Sequence, residues 1–436
     1  MVTDVANSKL NQLYQYLVDE EDARVCKDIP EQACHYVPLN FFAFIIANAL
    51  TKLGDELSNP KTVLAWLFSV VQAPVALVGL LVPIRESGSM LPQLLIAAYV
   101  RRLAVRKWVW VGGSVLQCVA VLGMGLVAFT LHGAAAGWSI IALLVLFSLA
   151  RGLCSVAHKD VLGKAIPKTR RGRLTGYASS VAGLLALGVG VFLTSQGDAA
   201  DSFYGFLLAA AGALWLLAAA VFALVQEQPG ATDGGGNALH EAVHSLALLR
   251  TDSDFRRFVI VRSLLLCSAL SAPYYVILAS ERGVADISTL GWFVVANGLA
   301  SSLSAPFWGR LADASSKTVM VRAALLTAGL GLLVAVLSVF LPALVAQTGF
   351  YPAAYFVLGI AHSGVRLGRK TYIVDMAGGN KRTDYVAVSN TVIGLVLLGT
   401  GLIGALAGLV SALGVIVMLS LLGLAGALLG RRLPEV

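Results

Sequence analysis

Charged residues are scarce in this 436-residue chain, where they make up 13% of the sequence against about 25% in an ordinary soluble domain. Hydrophobic residues make up 58%, and the mean hydropathy is +0.80. One globular core could not enclose so much apolar surface, because cores stop growing near ~250–300 residues. The scarcity of charge therefore excludes an ordinary soluble enzyme, a disordered chain and a coiled coil, and it indicates that lipid surrounds most of the chain.

Cysteine is also rare and belongs to no motif. The five cysteines are odd in number, three of them lie inside apolar runs, and none has the spacing of metal ligands. We therefore expect no disulfide framework and no metal site. A Ser/His/Asp triad and a nucleotide-binding loop are missing as well, so we expect that the protein is not an enzyme and needs no cofactor.

A signal peptide is not evident in residues 1–36, which are polar and acidic and lack an apolar centre. The first membrane span is therefore expected to act as its own insertion signal. The net charge of +8 suggests nucleic acid as one partner, but most basic residues lie in short loops between apolar runs. This placement is typical of the cytoplasmic face of a membrane protein, so we expect membrane lipids and no nucleic acid as partners.

Long apolar runs separated by charged residues, glycine and proline predict twelve membrane spans of about 20 residues or more. These spans are 43–72, 75–99, 108–131, 138–160, 174–195, 203–226, 257–281, 287–309, 319–341, 350–373, 385–406 and 408–430.

The loops alternate in charge. Those that follow the second, fourth, eighth and tenth spans carry clusters of lysine and arginine, whereas segments such as His132 to Trp138 and Gln196 to Ser202 carry almost none. The positive-inside rule then places both termini in the cytoplasm. We expect a multi-pass protein of a bacterial-type inner (plasma) membrane.

The first span contains Asn59-Pro60, which is a turn signal. A turn there would divide the span into helices over 39–58 and 62–83 and would reverse every later loop. The basic loops would then face outward, against the positive-inside rule. The sequence therefore favours one long segment that is interrupted near its middle, as transporter helices often are.

A polar segment from Glu227 to Asp254 divides six spans from six, and Leu239 to Leu249 within it could form a short amphipathic surface helix. The predicted organisation is an N-terminal cytoplasmic segment, a six-helix bundle, a cytoplasmic central loop, a second six-helix bundle and a cytoplasmic tail. These parts cover residues 1–38, 39–226, 227–255, 256–430 and 431–436.

The two halves repeat at one offset. Arg151 follows Ala150 as His362 follows Ala361, and Lys159 and Lys370 lie 211 positions apart, as Ala150 and Ala361 do. At the same offset, the loop from Arg102 to Lys107 falls on the loop from Asp313 to Thr318. Agreement without a gap in two separate regions favours a duplicated six-span unit.

Residues 309–317 read Gly-Arg-Leu-Ala-Asp-Ala-Ser-Ser-Lys, which resembles the loop motif G-x-x-x-D-R-x-G-R-K of the major facilitator superfamily. The resemblance covers the chain from about residue 39 to its end. It implies an all-α fold of two pseudo-symmetric six-helix bundles around a central substrate cavity. It also implies a cytoplasmic gating motif formed by Gly309, Asp313, Lys317 and, in a degenerate first-half copy, Arg102 and Arg106.

Five ionisable residues lie inside the first two predicted spans, where charges are costly and usually functional. They are Lys52, Asp55, Glu56, Arg85 and Glu86. We expect these residues to couple transport to protons, with Asp55 or Glu56 as the proton carrier. The alternatives are a static neutralised cluster that fastens the two helices and a cluster at the extracellular mouth. The second half has no matching acids; Asn297 occupies the place of Glu86.

Four further residues are expected in the substrate cavity. Arg151 matches the family's arginine in span four, His362 is its counterpart at the repeat offset, and Arg366 lies one turn beyond His362. Arg151, His362 and Arg366 can hold a carboxylate or phosphate of the substrate. The alternatives are a structural bond for Arg151 and a merely hydrogen-bonded histidine for His362. Asn48 is the fourth candidate.

The sequence therefore predicts a monomeric, proton-coupled secondary transporter of a small organic molecule that works by alternating access. Export of a drug or metabolite in exchange for protons is the first hypothesis, and uptake of an anionic nutrient or siderophore-like compound with protons is the second. A non-transporting sensor or scaffold is the third. The identity of the substrate, the direction of transport and the choice of H⁺ or Na⁺ stay open.

Overall fold

The computed structural model describes residues 12–16, 29, 31–93, 96, 99–100, 102–195, 202–230, 232, 247–281, 287–376 and 381–436. Regular structure in this part of the chain is helical throughout. Most of the predicted surface helix from Leu239 to Leu249 lies outside the described residues. The helices are α1 Glu31–Cys34, α2 Val37–Leu57, α3 Val63–Val70, α4 Val75–Met90, α5 Lys107–Thr130, α6 Gly133–Ala165, α7 Lys168–Thr194, α8 Ser202–Ala223, α9 Leu248–Thr251, α10 Ser253–Leu264, α11 Cys267–Leu270, α12 Ala272–Glu281, α13 Ile287–Ala314, α14 Ser316–Phe340, α15 Pro342–Val345, α16 Phe350–Met376 and α17 Lys381–Gly430, which is broken at Ser411.

The expectation of an all-α membrane protein is confirmed, whereas the count of twelve spans stays a prediction. In the described part of the chain, nine helices are long and apolar enough to cross a membrane. Three predicted spans are not among them and fall on α4, α16 and the first part of α17. Helix α4 has only 16 residues and is too short to be counted, whereas α16 is long enough but carries charged residues in its interior, which lower its hydropathy.

The first span is one interrupted segment, as the sequence predicted. Near the start of α2, the side chain of Asn40 binds the backbone of Gln226, and just after α3 the carbonyl of Val71 accepts a hydrogen bond from the backbone of Gly133 at 2.7 Å. The two helices therefore run in sequence between opposite ends of the molecule. The second half has a matching interruption between α10, α11 and α12.

The interruption in the first half follows from Asn59 and Pro60. Proline has no backbone N–H to continue the helical hydrogen bonds. The side chain of Asn59 accepts a hydrogen bond from the backbone of Lys61 at 2.9 Å. The backbone carbonyl of Asn59 accepts hydrogen bonds from the backbone N–H groups of Thr62 and Leu64. These bonds hold the side chain of Lys61 at the break between α2 and α3.

Three apolar clusters hold the bundle together. One contains residues of both halves, such as Trp66, Phe293 and Tyr355, and lies at the end of the molecule that is poor in lysine and arginine, which we call the neutral end. The other two clusters lie toward the opposite, basic end, and each belongs to a single half. The halves therefore share one core at the neutral end and separate toward the basic end.

Helices α7 and α13 approach each other closely at the neutral end. A Cβ atom on Gly291 would lie 2.8 Å from the carbonyl carbon of Leu193 and 2.9 Å from the carbonyl oxygen of Gly190. A Cβ atom on Gly190 would lie 2.8 Å from the side chain of Val295. Glycine at both positions permits this contact between the halves.

At the basic end, the carboxylate of Glu227 anchors the first half. It accepts hydrogen bonds from the backbone of Arg106 at 2.8 Å and of Lys107 at 2.6 Å, where α5 begins, and from Nζ of Lys164 at 2.8 Å. The side chain of Glu227 is fully buried. Glu227 was predicted to be the first residue of the central loop, but its contacts are with the N-terminal bundle.

Replacing Glu227 by Gln is expected to lower the free energy of unfolding by about 1.5–3 kcal/mol, because hydrogen bonds to a charged group are worth about that much. The measurement is denaturant unfolding of the purified protein in detergent. The matched control is Glu435→Gln, since Glu435 pairs with Lys317 at 3.0 Å but is largely exposed. A change of less than about 1 kcal/mol is expected there, and equal effects of the two variants would contradict the anchor role of Glu227.

The N-terminal segment is tied to the bundle. Tyr14 is buried and packs edge-on against Phe41 of α2, with ring centroids 5.3 Å apart. Cys34 is disulfide-bonded, whereas Cys118, Cys154 and Cys267 are free thiols. The expectation of no disulfide framework is therefore wrong at Cys34.

Candidate functional site

A cavity of about 650 Å³ lies between the two halves, on the basic side of their shared apolar core. Six helical segments line it: α2 with the break that follows it, α4, α6, α7, α13 and α16. Its ionisable residues are Lys52, Asp55, Glu56, Lys61, Arg85, Glu86, Arg151, His362 and Arg366.

Asp55 joins three helices of the first half. Arg85 of α4 donates to its carboxylate at 2.6 Å, and Arg151 of α6 donates to both of its oxygens. Arg85 also lies 4.7 Å from the ring centroid of Phe147, in a cation–π contact. One carboxylate is thus bound by two guanidinium groups, which places Asp55, Arg85 and Arg151 in one ion-paired cluster.

Glu56 faces the second half instead. Its carboxylate accepts hydrogen bonds from the amide of Asn297 on α13, at 3.0 and 3.3 Å, and from the amide of Asn59 at 3.3 Å. The bond to Asn297 crosses the boundary between the halves. Because both donors are neutral amides, Glu56 has no direct ion pair among the described residues.

Lys61 makes a second contact across this boundary. Its Nζ lies 3.2 Å from Nε2 of His362, and Nδ1 of His362 lies 3.1 Å from Oγ of Ser268. An ammonium group can only donate, so Nε2 is the acceptor and Nδ1 carries the proton that it donates to Ser268. His362 therefore positions Lys61 in the cavity.

Glu86 and Arg366 line the cavity without a hydrogen bond or ion pair of their side chains among the described residues. Glu86 experiences the charges of Lys61, Arg85, Arg151 and Arg369 at longer range. Arg369 lies one turn from Arg366 on the basic side, and its buried Nε has no hydrogen-bond partner in the described part of the chain. This part of the cavity is rich in positive charge.

The remaining predicted site residues are spread more widely. Lys52 lines the cavity and donates to Oγ of Ser179 on α7 at 2.6 Å. Asn48 is half-buried in α2 and is not among the described residues that line the cavity. No group of three metal-ligating side chains forms within the described ranges.

The predicted gating motif lies at the basic end, away from the cavity. Lys317 pairs with Glu435 of the C-terminal tail, and Arg106 pairs with Asp160 of α6 at 2.6 Å. Arg102 is exposed, and Gly309 has open space where a Cβ would stand. Asp313 lies in α13, but its side chain is outside the described part of the structure.

Sequence reasoning missed Lys61 and the role of Asn297. Lys61 lies inside the predicted span 43–72, so the cost of a charge in an apolar run was a signal that could have found it. In the sequence, Asn297 was identified only as the residue that lies 211 positions after Glu86, at the offset of the repeat. Its bond to Glu56 depends on how the two halves pack, which no local pattern encodes.

No protein-family model and no curated protein sequence matches the chain. Solved structures, in contrast, do align with the chain. A D-xylose–proton symporter aligns with a TM-score of 0.69 at 14% identity, covering 91% of this chain and 98% of that one. The nucleoside transporter NupG aligns with a TM-score of 0.67 at 10% identity and coverages of 90% and 98%.

A POT family transporter in complex with 5-aminolevulinic acid also aligns, with a TM-score of 0.67 at 10% identity and coverages of 89% and 94%. All three are similar over nearly the whole of both chains. The chain therefore has the fold of the major facilitator transporters, as its sequence motifs indicated. At these identities the likeness establishes the fold and not the cargo.

Proposed function

We propose that this protein is a secondary transporter that moves a small organic molecule across a membrane by alternating access. The observation that carries the proposal is a charged cavity between two halves that share an apolar core at the neutral end and have separate cores at the basic end. A cavity closed on one side by the packing of two similar bodies can open on the other side when those bodies rock.

The moving bodies are residues 39–226 and 256–430, and the basic end faces the cytoplasm of a bacterial-type inner membrane. In this orientation the structure corresponds to an inward-facing state. Rocking to the outward-facing state has to separate α7 from α13 at the neutral end. It also changes the two hydrogen bonds that cross the cavity, Glu56 to Asn297 and Lys61 to His362.

Glu56 is the proton carrier in this proposal, and Asp55 is a fixed counter-charge. Protonating Asp55 would break ion pairs with Arg85 and Arg151 in the same half, without any direct effect on the boundary between the halves. Protonating Glu56 changes its bond to Asn297 on the opposite half. An amide can turn to present its oxygen instead of its nitrogen, so Asn297 can bind either protonation state of Glu56.

Export of the substrate in exchange for protons is the direction we favour, and uptake together with protons is the alternative. The named neighbours include a D-xylose–proton symporter, so proton symport is compatible with this fold. Proteoliposomes with an imposed pH gradient distinguish the two: symport accumulates the substrate on the alkaline side, and antiport accumulates it on the acidic side.

Replacing Glu56 by Gln is expected to abolish accumulation driven by a pH gradient and to retain exchange of substrate down its own gradient. Gln keeps an oxygen acceptor for Asn297 but cannot release a proton. The measurement compares gradient-driven accumulation with counterflow exchange in proteoliposomes. The matched control is Asp254→Asn, which neutralises an exposed carboxylate outside the cavity and should leave both activities unchanged.

Two outcomes count against the proposal. If Glu56→Gln still accumulates substrate along a pH gradient, Glu56 does not carry the proton. If the wild-type protein shows neither accumulation nor counterflow for compounds that bind to it, the chain is not a transporter, and a sensor or scaffold on this fold becomes the better explanation.

A further inference from the structure

We infer that the substrate is a small organic dianion, either a dicarboxylate or a phosphate monoester, bound between Lys61 of the first half and Arg366 of the second. The inference rests on the proposed function because it assigns a substrate class to the same cavity. The observations that carry it are the balance of charge in the cavity, the partners of each cation and the position of two cations on opposite halves.

The cavity carries an excess of positive charge. Among the described residues, five cationic side chains line it against three carboxylates, which leaves two positive charges without a counter-charge when His362 is neutral. Uncompensated charge inside a membrane protein is costly, so it is retained where it serves a ligand or an ion. A cargo with two negative charges would neutralise this excess.

The partners of each cation show where the cargo can bind. Arg85 and Arg151 are bound to Asp55, and Lys52 donates to Ser179 near the entrance of the cavity. Among the described residues, the ammonium group of Lys61 forms a hydrogen bond only with the neutral ring of His362, with Glu86 as its main charged neighbour at longer range, and Arg366 has no hydrogen-bond or ion-pair partner. Lys61 and Arg366 therefore have donors available to a ligand.

These two cations lie close together on opposite halves. His362 contacts Lys61 at 3.2 Å, and Arg366 lies one turn after His362 on the same face of α16. Glu86 acts most strongly on Lys61 and attracts its ammonium group, as Glu56 does more weakly, whereas Arg366 and Arg369 repel it. An anion placed between Lys61 and Arg366 relieves this repulsion and joins the halves, which favours the conformation that holds both groups.

The residues on the side where the cavity opens toward the basic end are positively charged, as the cavity itself is. Lys159 and Lys370 are exposed, occupy equivalent positions in the two halves and experience each other's charge. Arg366, Arg369 and Arg262 add to the positive field at Lys370. Basic residues at the mouth of a basic cavity attract anions and speed their entry.

The test measures binding to the purified full-length protein in detergent at low salt. The probes are succinate as a dicarboxylate, glycerol 3-phosphate as a phosphate monoester, xylose as a neutral compound and tetraethylammonium as a cation. Each is labelled and tested up to about 1 mM, the upper end of usual substrate affinities. We expect binding of at least one dianion and of neither the neutral compound nor the cation. Which dianion binds distinguishes the two subclasses.

Lys61→Gln and Arg366→Gln are each expected to weaken dianion binding by about 10- to 100-fold, the loss that corresponds to one hydrogen bond to a charged group. The control Arg250→Gln removes an exposed arginine outside the cavity and should change binding by less than about 2-fold. Circular dichroism of each variant verifies that it is folded.

Three outcomes would overturn the inference: binding of xylose or tetraethylammonium in preference to both dianions, dianion binding that Arg366→Gln and Lys61→Gln do not weaken, and absence of dianion binding by the folded protein. None of these results depends on proton coupling. The dependence of transport on Glu56 is measured separately, so the proposed function can stand when the substrate class is wrong.

Discussion

Replacing Asp55 by Asn is expected to lower the free energy of unfolding by about 3–5 kcal/mol and to abolish transport. The carboxylate binds both Arg85 and Arg151, and its removal leaves two guanidinium groups facing each other in a partly buried cluster. Removing one partner from a buried ion pair has this cost because the remaining charge stays desolvated and unpaired. Denaturant unfolding in detergent and counterflow in proteoliposomes measure the two effects.

A second substitution tests this explanation. Replacing Arg151 by Gln in the Asp55→Asn protein removes one of the two unpaired cations and restores the original net charge of the cluster. The double variant is therefore expected to be more stable than Asp55→Asn alone, with a coupling energy of about 0.5–3 kcal/mol in the double-mutant cycle. Additive effects would show that Asp55 and Arg151 act independently and that the ion-paired cluster is not what stabilises the first half.

Replacing Gly291 by Ala is expected to shift the protein away from the conformation in which the neutral end is closed, which we propose faces inward. The added Cβ would meet backbone atoms of Gly190, Leu193 and Thr194, which cannot move aside as a flexible side chain can. Overpacking of this kind costs about 1–3 kcal/mol. Because the contact exists only while the neutral end is closed, we expect the equilibrium between the two states to change by about 5- to 150-fold.

The accessibility of the cavity from the neutral end measures this shift. A cysteine introduced as Ser301→Cys lies on the cavity lining, and the free cysteines Cys118, Cys154 and Cys267 are buried. A membrane-impermeant thiol reagent should modify the introduced cysteine faster in the Gly291→Ala background. Gly188→Ala is the matched control, since its Cβ would meet no atom within 4 Å. Equal rates in both backgrounds would show that the glycine contact does not close the neutral end.

The general architecture could be predicted because its causes are local in the sequence. Apolar runs of membrane-spanning length, the alternation of basic and neutral loops, and the break at Asn59-Pro60 are each visible within a short window. The number of spans is harder to confirm for a related reason. Helix α16 carries His362 and Arg366 of the cavity, so the same residues that indicate function reduce the hydropathy by which a span is recognised.

The candidate site could be predicted only in part. Eight residues that were expected to take part in coupling or binding do line the cavity together. They are Lys52, Asp55, Glu56, Arg85, Glu86, Arg151, His362 and Arg366. A charge inside an apolar run is visible in the sequence, but its partner is not. Arg151 and His362 were expected to hold the substrate, whereas in the structure Arg151 binds Asp55 and His362 binds Lys61.

Asp55 and Glu56 show which features of the site follow from the sequence and which depend on the tertiary structure. The sequence alone determined that two acids lie in the first span and that lipid makes them costly. Neighbouring residues on a helix point in directions about 100° apart, so Asp55 meets two arginines of its own half and Glu56 meets Asn297 of the other half. Which acid forms a fixed ion pair and which one crosses the boundary depends on the packing of helices distant in sequence, because ion pairs and hydrogen bonds require contact distances that only the folded chain provides.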